Sequence, residues 1–84
     1  MRERTPGVRL VVYAASWMPI WKWIEKTAAA LEERGVEVVV REPTEAEEDI
    51  VVLPTYVVFD TGGSERSRVS GAQSLSDLEE LCFS

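Results

Sequence analysis

The sequence contains no histidine and only one cysteine, Cys82, in 84 residues. Those two shortages exclude zinc sites, haem attachment and histidine-based triads, which need imidazoles or several thiolates. One cysteine cannot form an intramolecular disulfide. No covalent staple therefore holds the fold, and a reducing compartment, the cytoplasm, suits the composition. The apolar runs fall far short of the roughly 20 residues that a membrane helix needs, and Met1 to Gly7 lacks the apolar core of a signal peptide. Positive charge is scarce, nine Lys and Arg against fifteen Asp and Glu, for a net charge of −6. Nucleic acid and anionic membrane both select clustered positive charge, so neither is expected as a partner. No cofactor or metal is implied. Gly62-Gly63 is too short and too far from a helix start to cradle phosphate. The acidic stretch Glu42, Glu45, Glu47, Glu48 and Asp49 lacks the central glycine and alternating ligands of a calcium loop, and reads as a solvated surface loop.

What remains is a globular mixture, 45% hydrophobic and 29% charged, in a chain that can bury about 60–65% of its unfolded surface in one modest core. Residues 1–7 form a polar arm ending in Pro6-Gly7, and residues 8–84 form a single domain. Val8 to Tyr13 is a β-branched apolar run and predicts a buried strand. Pro19 suits the first turn of a helix and Ser16 is a nearby cap candidate. From Pro19 to Arg34 the apolar spacing is helical, with Ile20, Ile24, Ala28 and Leu31 on one stripe and Gly35 closing the helix. Val36 to Arg41 predicts a second strand, parallel to the first because a helix connects them. Thr44 to Asp49 suggests one helical turn with Thr44 and Glu47 as its cap. Thr55 to Asp60 is a third strand, Thr61 to Ser64 a hairpin turn and Glu65 to Ser70 the return strand. A Ser74-x-x-Asp77 cap opens a last helix whose buried stripe is Leu75, Leu78, Leu81 and Cys82.

The order β-α-β-β-β-α, with Pro54 just before the third strand, resembles a minimal thioredoxin or glutaredoxin fold. Three segments carry the resemblance. Tyr13 to Lys22, with Trp17-Met18-Pro19-Ile20-Trp21-Lys22, is similar to the family's strand, loop and helix ending in W-C-G-P-C-K. Leu53-Pro54-Thr55 followed by Tyr56-Val57-Val58-Phe59 is similar to its I-P-T and hydrophobic strand. Asp60 to Gly63, then Val69 to Leu78, is similar to its glycine turn, V-G-A step and last helix. The resemblance implies an α/β fold with a four-stranded mixed sheet, both helices on one face and a cis Pro54. Relative to the family, the chain lacks an N-terminal strand and helix, and its middle helix shrinks to a few acidic residues. The family's two cysteines fall on Met18 and Trp21, and its buried acid falls on Val12. Thiol–disulfide exchange needs an attacking thiolate and a resolving thiol, so this loop has lost the residues of that chemistry.

The expected function is therefore a redox-inactive, non-enzymatic module that binds a protein. Trp17, Met18, Trp21 and Trp23 concentrate anchor-type side chains in one short segment. Positions 21 and 23 lie about 200° apart on a helix, so the three indoles cannot share one face. Exposure is expected around Trp17, Met18 and Trp23, with Trp21 packed inward. The resemblance adds the edge Leu53, Pro54 and Thr55, whose backbone would pair with an extended partner segment. The net charge favours a basic partner. A chain of this size suits a small regulator or inhibitor of a larger protein, phage-encoded ones included. A structural homo-oligomer built on the same apolar patch is the alternative. Residual thiol chemistry at Cys82 is the remaining enzymatic reading. Ser16, Thr55 and Tyr56 are hydroxyls near the site, but no base is placed to activate them.

Overall fold

The computed structural model describes residues 8–47, 50 and 52–83. The arm at residues 1–7, and Glu48 and Asp49 of the acidic stretch, lie outside the described residues. The elements run β1 (Arg9–Tyr13), α1 (Trp21–Glu32), β2 (Glu37–Arg41), β3 (Thr55–Phe59), β4 (Glu65–Ser70) and α2 (Leu75–Phe83). They build one sheet in the order β2-β1-β3-β4. β1 pairs parallel with β2, from Arg9 opposite Glu37 to Tyr13 opposite Arg41. It pairs antiparallel with β3, from Arg9 opposite Phe59 to Tyr13 opposite Thr55. β3 and β4 form an antiparallel hairpin with a register shift between Val58 and Phe59.

Strand alternation sorts the apolar side chains onto two faces. One face carries Leu10, Val12, Tyr56 and Val58, and both helices pack on it through Ile24 and Leu31 of α1 and Leu78 and Cys82 of α2. The other face carries Val11, Tyr13 and Val57, against which Val39, Ile50, Leu53 and Phe59 pack. The sheet is thus covered by helices on one side and by a thinner apolar layer on the other.

Local chemistry sets the element ends. α1 begins at Trp21 with Ile20 at its N-cap and no side-chain cap bond, later than the Pro19 start expected from the sequence. Ser16 does not cap it. The reason is a tight turn before the helix: Trp21 N–H donates to Met18 O at 3.0 Å, and Pro19 serves that turn. At the other end Gly35 adopts φ +92°, a region open to glycine at no steric cost, and Val36 N–H donates back to Leu31 O at 3.1 Å. Between β3 and β4, Asp60 Oδ1 accepts from Gly62 N–H at 2.9 Å and Ser64 N–H at 3.0 Å, and Gly63 turns the chain at φ +86°. α2 has a reciprocal cap. Asp77 N–H donates to Ser74 Oγ at 3.1 Å and Ser74 N–H donates to Asp77 Oδ2 at 3.2 Å, satisfying two helix-end donors. Among the described residues, no helix is long and apolar enough to cross a membrane.

Among the described residues, Tyr56 is the core residue in conflict with its surroundings. Its ring is buried opposite Val12, and its hydroxyl has no hydrogen-bond partner among the described residues. Burial pushes its pKa up. An unsatisfied buried hydroxyl costs about 1–3 kcal/mol, so Tyr56→Phe is expected to stabilise the fold by about 1 kcal/mol in urea denaturation. A destabilised variant would mean that the hydroxyl is bonded in solution.

Candidate functional site

Register decides which loops meet. Tyr13 lies opposite both Arg41 and Thr55, and Thr55 lies opposite Ser70. The segments that leave β1, β2 and β4 and the segment that enters β3 therefore gather at one end of the sheet. Gly71 N–H donates to Pro54 O at 2.8 Å, tying two of them together.

The segment leaving β1 carries Trp17, 78% exposed. Two bonds hold it in shape: Met18 N–H donates to Ala15 O at 3.0 Å and Ala15 N–H donates to Met18 Sδ at 3.3 Å. Met18 is half-buried and packs against the helix-side core, so it belongs less to the surface than its sequence neighbours suggest. Trp21 packs against the same core. Trp23 is 38% exposed, as the opposed helical positions require. Thr27, which the sequence reading did not single out, is buried within α1 and its hydroxyl donates to Trp23 O at 2.9 Å.

The Leu53–Pro54 peptide bond is cis. Val52 is exposed, Leu53 half-buried and Pro54 buried. Thr55 is buried too, its hydroxyl donating to Val52 O and lying 3.3 Å from Ser70 Oγ. It serves the loop from inside and lends no side chain to the surface. Val12, the position at which the resemblance put the family's acid, is a buried apolar core residue. Cys82 is fully buried and lies on α2. Burial pushes its thiol pKa up to about 11, which leaves about one thiolate in ten thousand at neutral pH.

A polar latch at the same end of the sheet was only half legible. The Thr44–Glu47 pair was expected as a cap, and Glu47 Oε1 accepts from Thr44 N–H at 2.9 Å and Thr44 Oγ1 at 3.1 Å. The same oxygen accepts from Arg41 at 2.9 Å, and Tyr13 lies near enough to Glu47 for each to shift the other's titration. The Arg41 guanidinium sits 5.5 Å from the Tyr13 ring centroid, within cation–π range. Chiefly the Thr44 backbone N–H, then the nearby Tyr13 hydroxyl, hold the Glu47 carboxyl below its ordinary range. Desolvation, then Glu47, raises the Tyr13 pKa. Part of the acidic stretch is therefore fixed to the sheet, while Glu42 and Glu45 remain exposed.

A cleft of about 250 Å³ lies at the opposite end of the sheet, lined by Arg9, Glu37, Phe59, Asp60, Thr61 and Gly63. Its charges are engaged: Arg9 pairs with Glu37 at 3.2 Å, and Asp60 holds the hairpin turn. Among the described residues, no three Cys, Asp or Glu side chains converge as a metal site.

No protein-family model matches the chain, and neither does any curated protein sequence. Solved structures do. A mutant thioredoxin from Halobacterium salinarum superposes with a TM-score of 0.77 at 23% identity, over 89% of this chain and 71% of that one. The thioredoxin of Fasciola hepatica gives 0.72 at 26% identity, over 92% and 79%. An oxidized mitochondrial thioredoxin from Saccharomyces cerevisiae gives 0.70 at 20% identity, over 88% and 74%. With this element order and strand register, the chain has a thioredoxin-like fold.

Proposed function

We propose that this chain is a redox-inactive protein-binding module that holds its partner at the end of the sheet where thioredoxins carry their thiols. The observation that carries the reading is Trp17, 78% exposed and next to Met18, on a loop with no cysteine. A lone indole in water is unusual without a use, because burying it recovers a large apolar area. Trp17 and Trp23 would be the anchors, with Met18 as the flexible shoulder and the Leu53-Pro54 backbone as the pairing edge. Trp21 supports the loop from the core side. The net charge of −6 would speed the encounter with a basic partner and make it salt-dependent. A regulator or inhibitor of a larger protein fits such a module.

The non-enzymatic part of the reading rests on the chemistry of the thiol inventory. The single thiol is buried and its pKa raised, and there is no second one to resolve a mixed disulfide. Reduction of insulin disulfides by the chain is expected to stay at the background rate of the added reductant. A rate above it that is lost in Cys82→Ser would overturn the reading.

Binding is tested by affinity capture with the wild type beside Trp17→Ala/Trp23→Ala, after circular dichroism has confirmed that the variant is folded. The wild type should retain a stoichiometric protein that the double variant loses, with affinity falling by a hundredfold or more for two anchor residues. Equal capture by both chains would overturn the assignment of the site.

A further inference from the structure

We propose that β2 is a self-complementary edge, through which two copies of this chain pair antiparallel about Val39. The two sheet edges differ. β4 carries Glu65, Arg66 and Arg68, and the β3–β4 ladder contains a register shift; charge and irregularity are the usual defences of an edge against pairing. β2 reads Glu37-Val38-Val39-Val40-Arg41, without proline, glycine or lysine, and its ladder with β1 runs without a shift. Among the described residues, no strand lies on its outer side.

The backbone fixes which groups face outward. Glu37 N–H donates to Val8 O at 3.2 Å, and Arg41 O accepts from Ala14 N–H at 3.0 Å. In a parallel ladder alternate residues bond the same neighbour, so Glu37, Val39 and Arg41 bond toward β1. Val38 and Val40 direct their N–H and C=O away from it. Antiparallel pairing of two copies about Val39 sets each Val38 against the partner's Val40, and all four residues exchange their free backbone bonds. In that register Glu37 of each copy lies opposite Arg41 of the other. Shifting the register by one ladder step in either direction leaves both Glu37 and Arg41 without an opposite charge across the contact. The charge pattern therefore selects both the orientation and the register, and the contact closes as a two-fold dimer. Glu37 is 61% exposed beside Arg9, and Arg41 is 44% exposed beside Glu47, so each retains room for a second partner. The interface uses no residue of the proposed binding site, and the two readings stand or fall separately.

The test is sedimentation equilibrium of the full chain over a concentration series, with Glu37→Lys, Arg41→Glu and their equimolar mixture. The wild type should dimerise reversibly. Each single variant sets two like-charged pairs across the interface and should dimerise at least about tenfold more weakly. The mixture should recover wild-type association, because a heterodimer of the two variants restores both opposite-charge pairs. A wild type that stays monomeric to millimolar concentration would overturn the proposal. So would a dimer indifferent to both reversals, or one lost in Trp17→Ala/Trp23→Ala. If a charge variant fails to fold, amide exchange of the wild type decides. The Val38 and Val40 amides should gain protection with concentration while Val39 is protected throughout. Concentration-independent exchange at Val38 and Val40 would overturn it.

Discussion

Leu78→Ala is expected to remove about 3 kcal/mol of stability, close to a hundredfold in the folding equilibrium. Leu78 is buried on α2, and the cost combines lost transfer energy with a cavity that the small core cannot fully close. A domain of this length holds roughly 4–13 kcal/mol in total, so one such truncation takes a large share. Arg34→Ala is the control. Arg34 reaches Glu79 of α2 at 3.0 Å, an ion pair that joins the region after α1 to the last helix. The Arg34 side chain is 58% exposed, and exposed pairs contribute about 0–1 kcal/mol. The comparison asks which force docks α2. Urea denaturation followed by circular dichroism should show a large shift for Leu78→Ala and a small one for Arg34→Ala. Equal shifts would mean that the ion pair, and not burial, holds the helix.

A disulfide should form when Met18→Cys and Trp21→Cys are introduced together. The Trp21 N–H to Met18 O bond closes a four-residue turn, and such turns hold their end Cα atoms within about 7 Å, inside the range a disulfide spans. The thiol at position 18 would lie just before the α1 N-terminus, where partial positive charge favours thiolate. Mild oxidation should therefore lower the mass by two hydrogens, with no free thiol gained beyond Cys82. Insulin reduction should rise above the background of the wild type. It should remain slow, because Val12 offers no carboxylate to manage the proton. A folded double variant that stays fully reduced under oxidant would contradict the turn geometry at Met18–Trp21. A variant that oxidises without reducing insulin would locate the deficit in the surroundings of the thiols.

These two expectations separate what holds the domain together from what its site can do, and the sequence informed them unequally. Strands β1, β2 and β3 were legible within a residue or two because each is a β-branched apolar run, and that composition acts locally. α2 was legible from its Ser74–Asp77 cap and its leucine spacing. The start of α1 was misplaced at Pro19, because the backbone bond from Trp21 to Met18 outranks proline's preference for a first helical turn. Ser16 has the right side chain for a cap, but that turn holds it too far from the helix. At the site, the inward Trp21 and exposed Trp23 follow from helical angles alone. Met18 and Thr55 do not. Their sequence neighbours suggest surface, while the core takes Met18 from one side and the Val52 carbonyl and Ser70 hydroxyl satisfy Thr55 from within.

By itself, the sequence determined the list of elements, the parallel β1–β2 pair, the absence of a thiol pair and the excess of negative charge. Those follow from local periodicity, from connection length and from counting. Only the tertiary structure decided which strands are edges, which loops share one end of the sheet, that Tyr13, Arg41 and Glu47 form one latch, and that the Tyr56 hydroxyl has no partner among the described residues. Each of these depends on register between segments far apart in the chain, and no local preference encodes register until the segments pack.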